Sequence, residues 1–245
     1  MNILKSLIKK IEHYASIPFI LKDFIIFKKK IKRNREFTIY IRDFYPRISD
    51  KKTVTGFDRH YLYHTAWAVR KVKKINPVYH IDVGSSLYFC SLLSAFIPVE
   101  FYDYRPPLLK LDNLNVKQGD LISLPFKDNG VSSISCMHTV EHVGLGRYGD
   151  SIDPDGDLKA IKELKRVLAP GGSLLFVVPI GKPKIMFNAH RIYSYDQIRE
   201  YFNNFHIEEF SLIPENEKNG DLIENATREM TDKEKYGCGC FWFKK

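Results

Sequence analysis

The stretch Val78-Tyr-His-Ile-Asp-Val83-Gly84-Ser-Ser86 decides how the chain is read. Six residues of β-forming, mostly apolar character end at an acid and a glycine, which is how a buried strand running into a tight turn looks in sequence. Further strands follow at intervals long enough for helices. Val99-Glu-Phe-Tyr-Asp103 is the second and Asn115-Val-Lys-Gln118 a weaker third. Val131-Ser-Ser-Ile-Ser-Cys136 is the fourth, and Ser173-Leu-Leu-Phe-Val-Val178, after the turn Pro170-Gly-Gly172, the fifth. A helix is expected from Asp157, as N-cap, to Leu168, with Ile161, Leu164, Val167 and Leu168 on one face. A second begins at the capping-box pattern Ser194-x-x-Gln197, and His206–Leu212 and Cys238–Phe243 supply two last strands. Strands joined by helix-length crossovers predict an α/β, Rossmann-like, doubly wound and mostly parallel seven-stranded sheet with an N-terminal helical extension.

Charge divides the chain. Residues 1–35 hold ten Lys/Arg against Glu12 and Asp23, so +8 of the formal +9 lies there and the other 210 residues are nearly neutral. We therefore expect a basic helical arm at 1–45 and an α/β domain at 46–245, with its core at 76–213 and its last strand near 238–243. In the arm, Ile3, Leu4, Leu7, Ile8, Ile11, Tyr14 and Ala15 follow helical spacing, with Lys5, Lys9 and Lys10 on the other faces. Such a helix either packs on its own domain or lies on an anionic membrane, aided by the Lys28–Arg35 cluster. No nucleic-acid partner is expected, because no stacking groove or binding motif accompanies the charge. Nothing in the first residues reads as a signal peptide, and Ile17–Phe27 is broken by Pro18, Lys22 and Asp23 and too short to span a bilayer. The four cysteines, without a Cys-x-x-Cys pair, read as reduced thiols of a cytoplasmic protein, peripheral on the inner membrane face if the arm binds lipid. No metal is assigned, and the sequence carries no expectation of oligomeric state.

In a doubly wound sheet, ligands collect beyond the carboxyl ends of the strands. The turn Asp82-Val-Gly84-Ser85-Ser86 lets backbone approach a ligand, although Ser86 and Tyr88 stand where a dinucleotide-binding loop would continue with glycines. Asp103, closing the second strand, is placed to accept both hydroxyls of a ribose, and Asp120, after the third, an adenine amine. His138-Thr-Val-Glu-His142 is a literal His-x-x-Glu-His, the inverted zinc-protease pattern, but it straddles a strand end and runs into Gly144 and Gly146. Asp150, Asp153, Asp155 and Asp157 imitate a calcium loop, yet Gly156 is out of register and position 164 is Leu, which excludes an EF-hand.

Ile81-Asp-Val-Gly84, Asp103, Gly119-Asp-Leu-Ile-Ser-Leu-Pro-Phe126, Val140-Glu-His142 and Glu163-Leu-Lys-Arg-Val-Leu-Ala-Pro-Gly-Gly172 resemble, in order and spacing, the class I S-adenosylmethionine-dependent methyltransferases over roughly 76–213. Within them, Glu141-His-Val-Gly-Leu-Gly-Arg-Tyr-Gly-Asp150 followed by Asp153-Pro-Asp-Gly-Asp157 resembles a bacterial methyltransferase-like family, some of whose members lie among surface-polysaccharide functions. The resemblance implies S-adenosylmethionine as cofactor. It puts Asp82, Gly84, Ser85 and Ser86 at the methionine moiety, Asp103 at the ribose, Asp120 at the adenine amine, and His138 and Thr139 at the cofactor's edge. His142 and His190 are the candidate bases, with Glu141 beside them, and Arg147, Tyr148, Asp150 and Arg191 the candidate contacts to a small-molecule or glycan acceptor. The alternatives are a degenerate cofactor-binding or scaffold protein, favoured by the lost glycines, and a zinc hydrolase using His138, Glu141 and His142.

Overall fold

The computed structural model describes residues 2–31, 37–47, 50 and 53–245, with the side chains of 2–14 and 16 outside that description. Two units separate by their contacts, residues 1–57 and 58–245. In the first, α1 (Asn2–Lys30) runs through Pro18 and ends in Lys28, Lys29 and Lys30, cations that suit the negative end of a helix dipole. The apolar face expected at Ile3–Tyr14 and the cations Lys32, Arg33 and Arg35 lie outside the described residues. Among the described residues no helix is long and apolar enough to cross a membrane.

The second unit opens with α2 (Arg59–Ile75), whose N-cap Asp58 accepts the backbone N–H of Tyr61. Then follow β1 (His80–Val83), α3 (Leu87–Leu93), β2 (Val99–Asp103), β3 (Leu114–Gln118) and β4 (Val131–Met137). After them come α4 (Gly156–Val167), β5 (Leu168–Ile180), the hairpin β6 (Lys184–Met186) and β7 (His190–Ile192), and α5 (Tyr195–Tyr201). The chain closes with β8 (His206–Ile213), the short α6 (Arg228–Thr231) and β9 (Gly237–Lys244). Seven strands form one sheet in the order β3-β2-β1-β4-β5-β9-β8. All neighbours from β3 to β5 are parallel, and β9 is antiparallel to both β5 and β8.

Period-two alternation gives the sheet an apolar face on each side. Leu174, Phe176 and Val178 of β5 join Phe241 and Phe243 of β9 against Ile161 and Leu164 of α4 and Ile198 of α5. Leu175, Val177 and Trp242 turn the other way, onto Trp67, Ala68 and Val72 of α2 and Phe89 of α3. Glu209 of β8 anchors α2 from the sheet edge, accepting from Trp67 Nε1 at 2.9 Å and pairing with Lys71 Nζ at 2.6 Å.

Three local readings change. Pro170-Gly-Gly172 is not a turn before the fifth strand. β5 begins at Leu168, opposite Val131, and register slips before Ser133 meets Ser173, so these residues form an irregularity inside the strand. Asp157 is not the N-cap of α4, a position held by Asp155. Its buried carboxylate accepts the Tyr193 hydroxyl at 2.9 Å and faces Arg191 Nε at 3.5 Å. The β6–β7 hairpin and helices α2 and α3 are additions to the expected elements.

Candidate functional site

Strand order reverses between β1 and β4, and beyond their carboxyl ends lies a crevice of about 380 Å³, within the range of small-molecule sites. Of the residues expected from sequence, Gly84, Asp103, Asp120, His138, Thr139, His142, Tyr148 and Asp150 line it together. Tyr102, Tyr104, Arg105, Leu121, Ile122 and Ser151 line it as well, and the sequence reading did not single them out. Tyr104 and Arg105 directly follow Asp103 at a strand end, which is the signal that could have found them.

Gly84 is required at its position. Its φ is +71°, and an added Cβ would stand 2.5 Å from Cγ2 of Thr139, so backbone alone fits between the β1 turn and the β4 end. Thr139 Oγ1 donates to the Met137 carbonyl at 3.2 Å, fixing that wall. At the end of β2, Asp103 Oδ1 accepts the Arg105 N–H at 2.7 Å, and after β3 Asp120 Oδ1 accepts that of Ile122 at 3.1 Å. Each carboxylate is thus oriented by its own turn while it lines the crevice.

Asp82, Ser85 and Ser86 lie outside the crevice wall. Asp82 is fully buried, accepting from the Ser85 N–H at 3.0 Å and from the Ser135 hydroxyl. Burial pushes its pKa up to about 6, against the pull of those hydrogen bonds. Ser85 Oγ accepts the Met137 N–H at 3.0 Å, so this pair ties β1 to β4 instead of facing a ligand. Ser86 stands at the N-cap of α3 without a side-chain cap bond.

The loop after β4 is built around Asp150. Its Oδ2 accepts the N–H groups of Gly144 (2.8 Å) and Gly146 (3.3 Å), and its Oδ1 that of Tyr148 (3.2 Å). Partial burial alone would raise its pKa, but these amides outweigh it and hold the carboxyl below its usual range. Gly144, at φ +81°, packs so closely that a Cβ would meet the Asp153 carbonyl at 2.0 Å. Arg191 is buried and donates to the carbonyls of Val143 (2.7 Å) and Pro154 (3.0 Å), clamping the two ends of the loop. It organises the loop and does not line the crevice. In the acidic run, Asp153 lines the crevice while pairing with Lys159 at 2.6 Å.

Tyr148 lies beneath two guanidiniums, Arg105 at 4.8 Å and Arg147 at 5.0 Å from its ring centre, and edge-on to His142 at 5.5 Å. His142 Nδ1 donates to the Ala189 carbonyl at 2.6 Å, which leaves its lone pair on Nε2. Burial, ahead of the opposing pull of Glu141, holds the His142 pKa below its ordinary value, so the imidazole is neutral at physiological pH. His190 stands outside the lining, its ring 6.5 Å from that of His142, with its pKa also lowered by burial. Glu141 is buried behind the wall, its Oε1 2.9 Å from His138 Nδ1. The inverted zinc-protease reading fails on this geometry: it needs both histidines on one helix, whereas Glu141 and His142 lie in a single 3₁₀ turn (Val140–His142) and His138 precedes it.

Similarity to known proteins is consistent with this architecture. Residues 128–237 match the model of a family described as "Caenorhabditis protein of unknown function, DUF268". Among curated proteins none matches the chain in sequence. In three dimensions it is similar to the Burkholderia thailandensis 1,6-didemethyltoxoflavin-N1-methyltransferase with bound 1,6-didemethyltoxoflavin and S-adenosylhomocysteine (12% identity, 77% of this chain and 79% of that one, TM-score 0.53). It is similar also to the N-methyltransferase NodS of Bradyrhizobium japonicum WM9 in complex with S-adenosylhomocysteine (11%, 77% and 89%, TM-score 0.51). A chain of the Haloferax volcanii complex containing the Trm112 methyltransferase activator gives 19% identity, 76% and 89% coverage, and a TM-score of 0.51. The fold is that of the class I S-adenosylmethionine-dependent methyltransferases.

Proposed function

We propose that this chain transfers a methyl group from S-adenosylmethionine to an oxygen or nitrogen of a hydroxyl-rich acceptor, a small molecule or a glycan. The observation that carries this reading is the crevice itself. Gly84, Asp103 and Asp120 stand at three successive strand ends and line one wall, with the histidine-bearing loop opposite. The residues fit the cofactor chemically. A side-chain-free Gly84 leaves room for an extended chain, the Asp103 carboxylate suits a ribose diol, and Asp120 beside Leu121 and Ile122 suits an aminated aromatic base. When bound, the sulfonium supplies the methyl group and a good leaving group. The protein's own part is alignment, exclusion of water and proton removal. His142 Nε2 takes the proton from the acceptor's hydroxyl or amine, while the loop pinned by Asp150 and Arg191 holds the acceptor side rigid. Tyr148 and Arg105, both lining the crevice, offer hydrogen-bonding groups to hydroxyls, which supports a sugar as acceptor and, with it, a place in surface-polysaccharide synthesis. Mass spectrometry of the denatured protein should release co-purified S-adenosylhomocysteine. Incubation with methyl-labelled S-adenosylmethionine and a glycan panel should label one acceptor. An unlabelled panel together with an empty, non-binding protein would reject the reading.

The exposed Phe19, Ile25 and Phe27 of α1, next to Lys28–Lys30, support docking of the arm on an anionic cytoplasmic lipid surface. Full-length protein should sediment with phosphatidylserine vesicles at low salt, and replacing the three lysines by glutamate should abolish this. Protein left in the supernatant at low salt would contradict the address.

A further inference from the structure

Behind the crevice wall, away from the carboxylates that suit a cofactor, three residues from distant parts of the chain converge. They are His60 in the first turn of α2, His138 just past β4, and Cys238 in β9. One ligand atom from each lies within 4.8 Å of the other two. Cys238 Sγ and His138 Nε2 are already 3.4 Å apart. A tetrahedral zinc ion, with bonds of about 2.3 Å to sulfur and 2.0–2.1 Å to nitrogen, holds such atoms about 3.5 Å apart. His60 lies parallel to His138, with ring centres 5.7 Å apart, and needs only a small adjustment at its half-buried helix end.

We infer that His60, His138 and Cys238 form a divalent transition-metal site, with Zn²⁺ as its natural occupant. Two imidazoles and one thiolate are a borderline-soft donor set that selects zinc over magnesium or calcium. The surroundings point to a cation independently of the three ligands. Glu141 is 1% exposed, and its Oε2 has no hydrogen-bond partner among the described residues. His64, one turn along α2 from His60, is fully buried 5.1 Å from the His138 ring, and neither of its nitrogens has a hydrogen-bond partner among the described residues. Buried polar atoms left this way are costly. Glu141 Oε1, 2.9 Å from His138 Nδ1, accepts that N–H and so turns Nε2 toward the site, as carboxylates behind metal-bound histidines do. His138 also holds a φ of +54°, a conformation uncommon for a non-glycine residue, which directs the chain away from the strand just where the ligand is needed. A dication, one thiolate and one carboxylate sum to zero charge, so the ion would neutralise a buried acid that has no Lys or Arg partner among the described residues. Binding displaces the Cys238 thiol proton to solvent, and no electron changes hands.

The site is tested by metal binding on the full chain, without any assay of methyl transfer. Metal-free protein titrated with Co²⁺ should take up one equivalent and develop a thiolate-to-cobalt charge-transfer band in the near ultraviolet. Zn²⁺ should displace it and raise the melting temperature. Cys238→Ser, a near-isosteric change, should remove that band, and His60→Ala should weaken Zn²⁺ binding at least 100-fold with circular dichroism unchanged. Glu141→Gln should weaken it about 10–100-fold, the usual effect of losing an orienting carboxylate. Wild-type Zn²⁺ affinity in Cys238→Ser, or Co²⁺ bound without the thiolate band, would overturn the assignment, as would failure of the wild type to bind either ion stoichiometrically. Calorimetry with S-adenosylhomocysteine on the metal-free protein keeps this result separate from that of the proposed function.

Discussion

The β1–β3 wall of the crevice and the cluster behind its β4 wall are built differently. On the β1–β3 side, Gly84, Asp103 and Asp120 each sit at a strand end, and both carboxylates are oriented by a bond within their own turn. On the β4–β9 side, His138, Glu141, Cys238 and His60 meet across 178 residues of sequence, and their order depends on α2, β4 and β9 packing correctly. Local turns can build one half of a site from short-range instructions, while the other half exists only once the sheet is complete. The first half should therefore fail residue by residue, and the second as a unit.

The largest effect should come from His142. Replacing it with Ala removes the base from the acceptor side and should lower methyl transfer about 10²–10⁴-fold, with affinity for S-adenosylhomocysteine unchanged. A loss of cofactor affinity in parallel would merge the two halves and break the comparison. The same residue sets the pH dependence. Its pKa lies below 6.5, so the neutral, active form predominates at pH 7, and kcat/KM should fall only as pH drops below that value. A profile still rising between pH 7 and 9 would assign the base elsewhere.

Next comes Gly84→Ala. A Cβ placed 2.5 Å from Thr139, at a φ of +71°, forces the β1 turn open, and a single residue in this left-handed region costs about 1–2 kcal/mol. Affinity for S-adenosylhomocysteine should drop at least tenfold, while the Co²⁺ spectrum of the opposite side stays as in the wild type. Coupled loss of both would show that the halves are not independent.

The smallest effect should come from the loop's support. Tyr193→Phe deletes the hydroxyl that donates to the buried Asp157, a hydrogen bond to a charged group of about 1.5–3 kcal/mol. Thermal or urea unfolding should show that loss, with transfer reduced less than in His142→Ala. An unchanged melting curve would mean that Asp157 relies on Arg191 alone.

How far the sequence foretold this follows the same division. Strand ends announce themselves: Val83-Gly84, Asp103 and Asp120 close runs of β-forming residues, so the fold and one wall of the crevice were readable in chain order. The resemblance puts Asp82 at the cofactor, whereas its position on the strand points it inward to Ser135. Arg191 misled because polarity in a loop suggests ligand contact and cannot reveal that carbonyls already satisfy it, and Asp157 because an acid ahead of a helical run suggests an N-cap and cannot reveal its Tyr193 and Arg191 partners. α2 was overlooked although Asp58 as N-cap and Trp67, Ala68, Lys71 and Val72 at helical spacing announce it. With α2 went His60 and His64, spaced i and i+4 on one face. Cys238 and His60 have no sequence motif in common, and only the antiparallel return of β9 beside β5 brings them together.

The measurement that bears most directly on the central claim is calorimetric titration of S-adenosylhomocysteine into the wild type and Asp103→Ala. One-site binding in the wild type, reduced at least 100-fold in a variant that keeps its circular dichroism, is the expected result. Absence of binding in the wild type, or equal affinity in both proteins, would contradict a cofactor held at the ends of β1–β3.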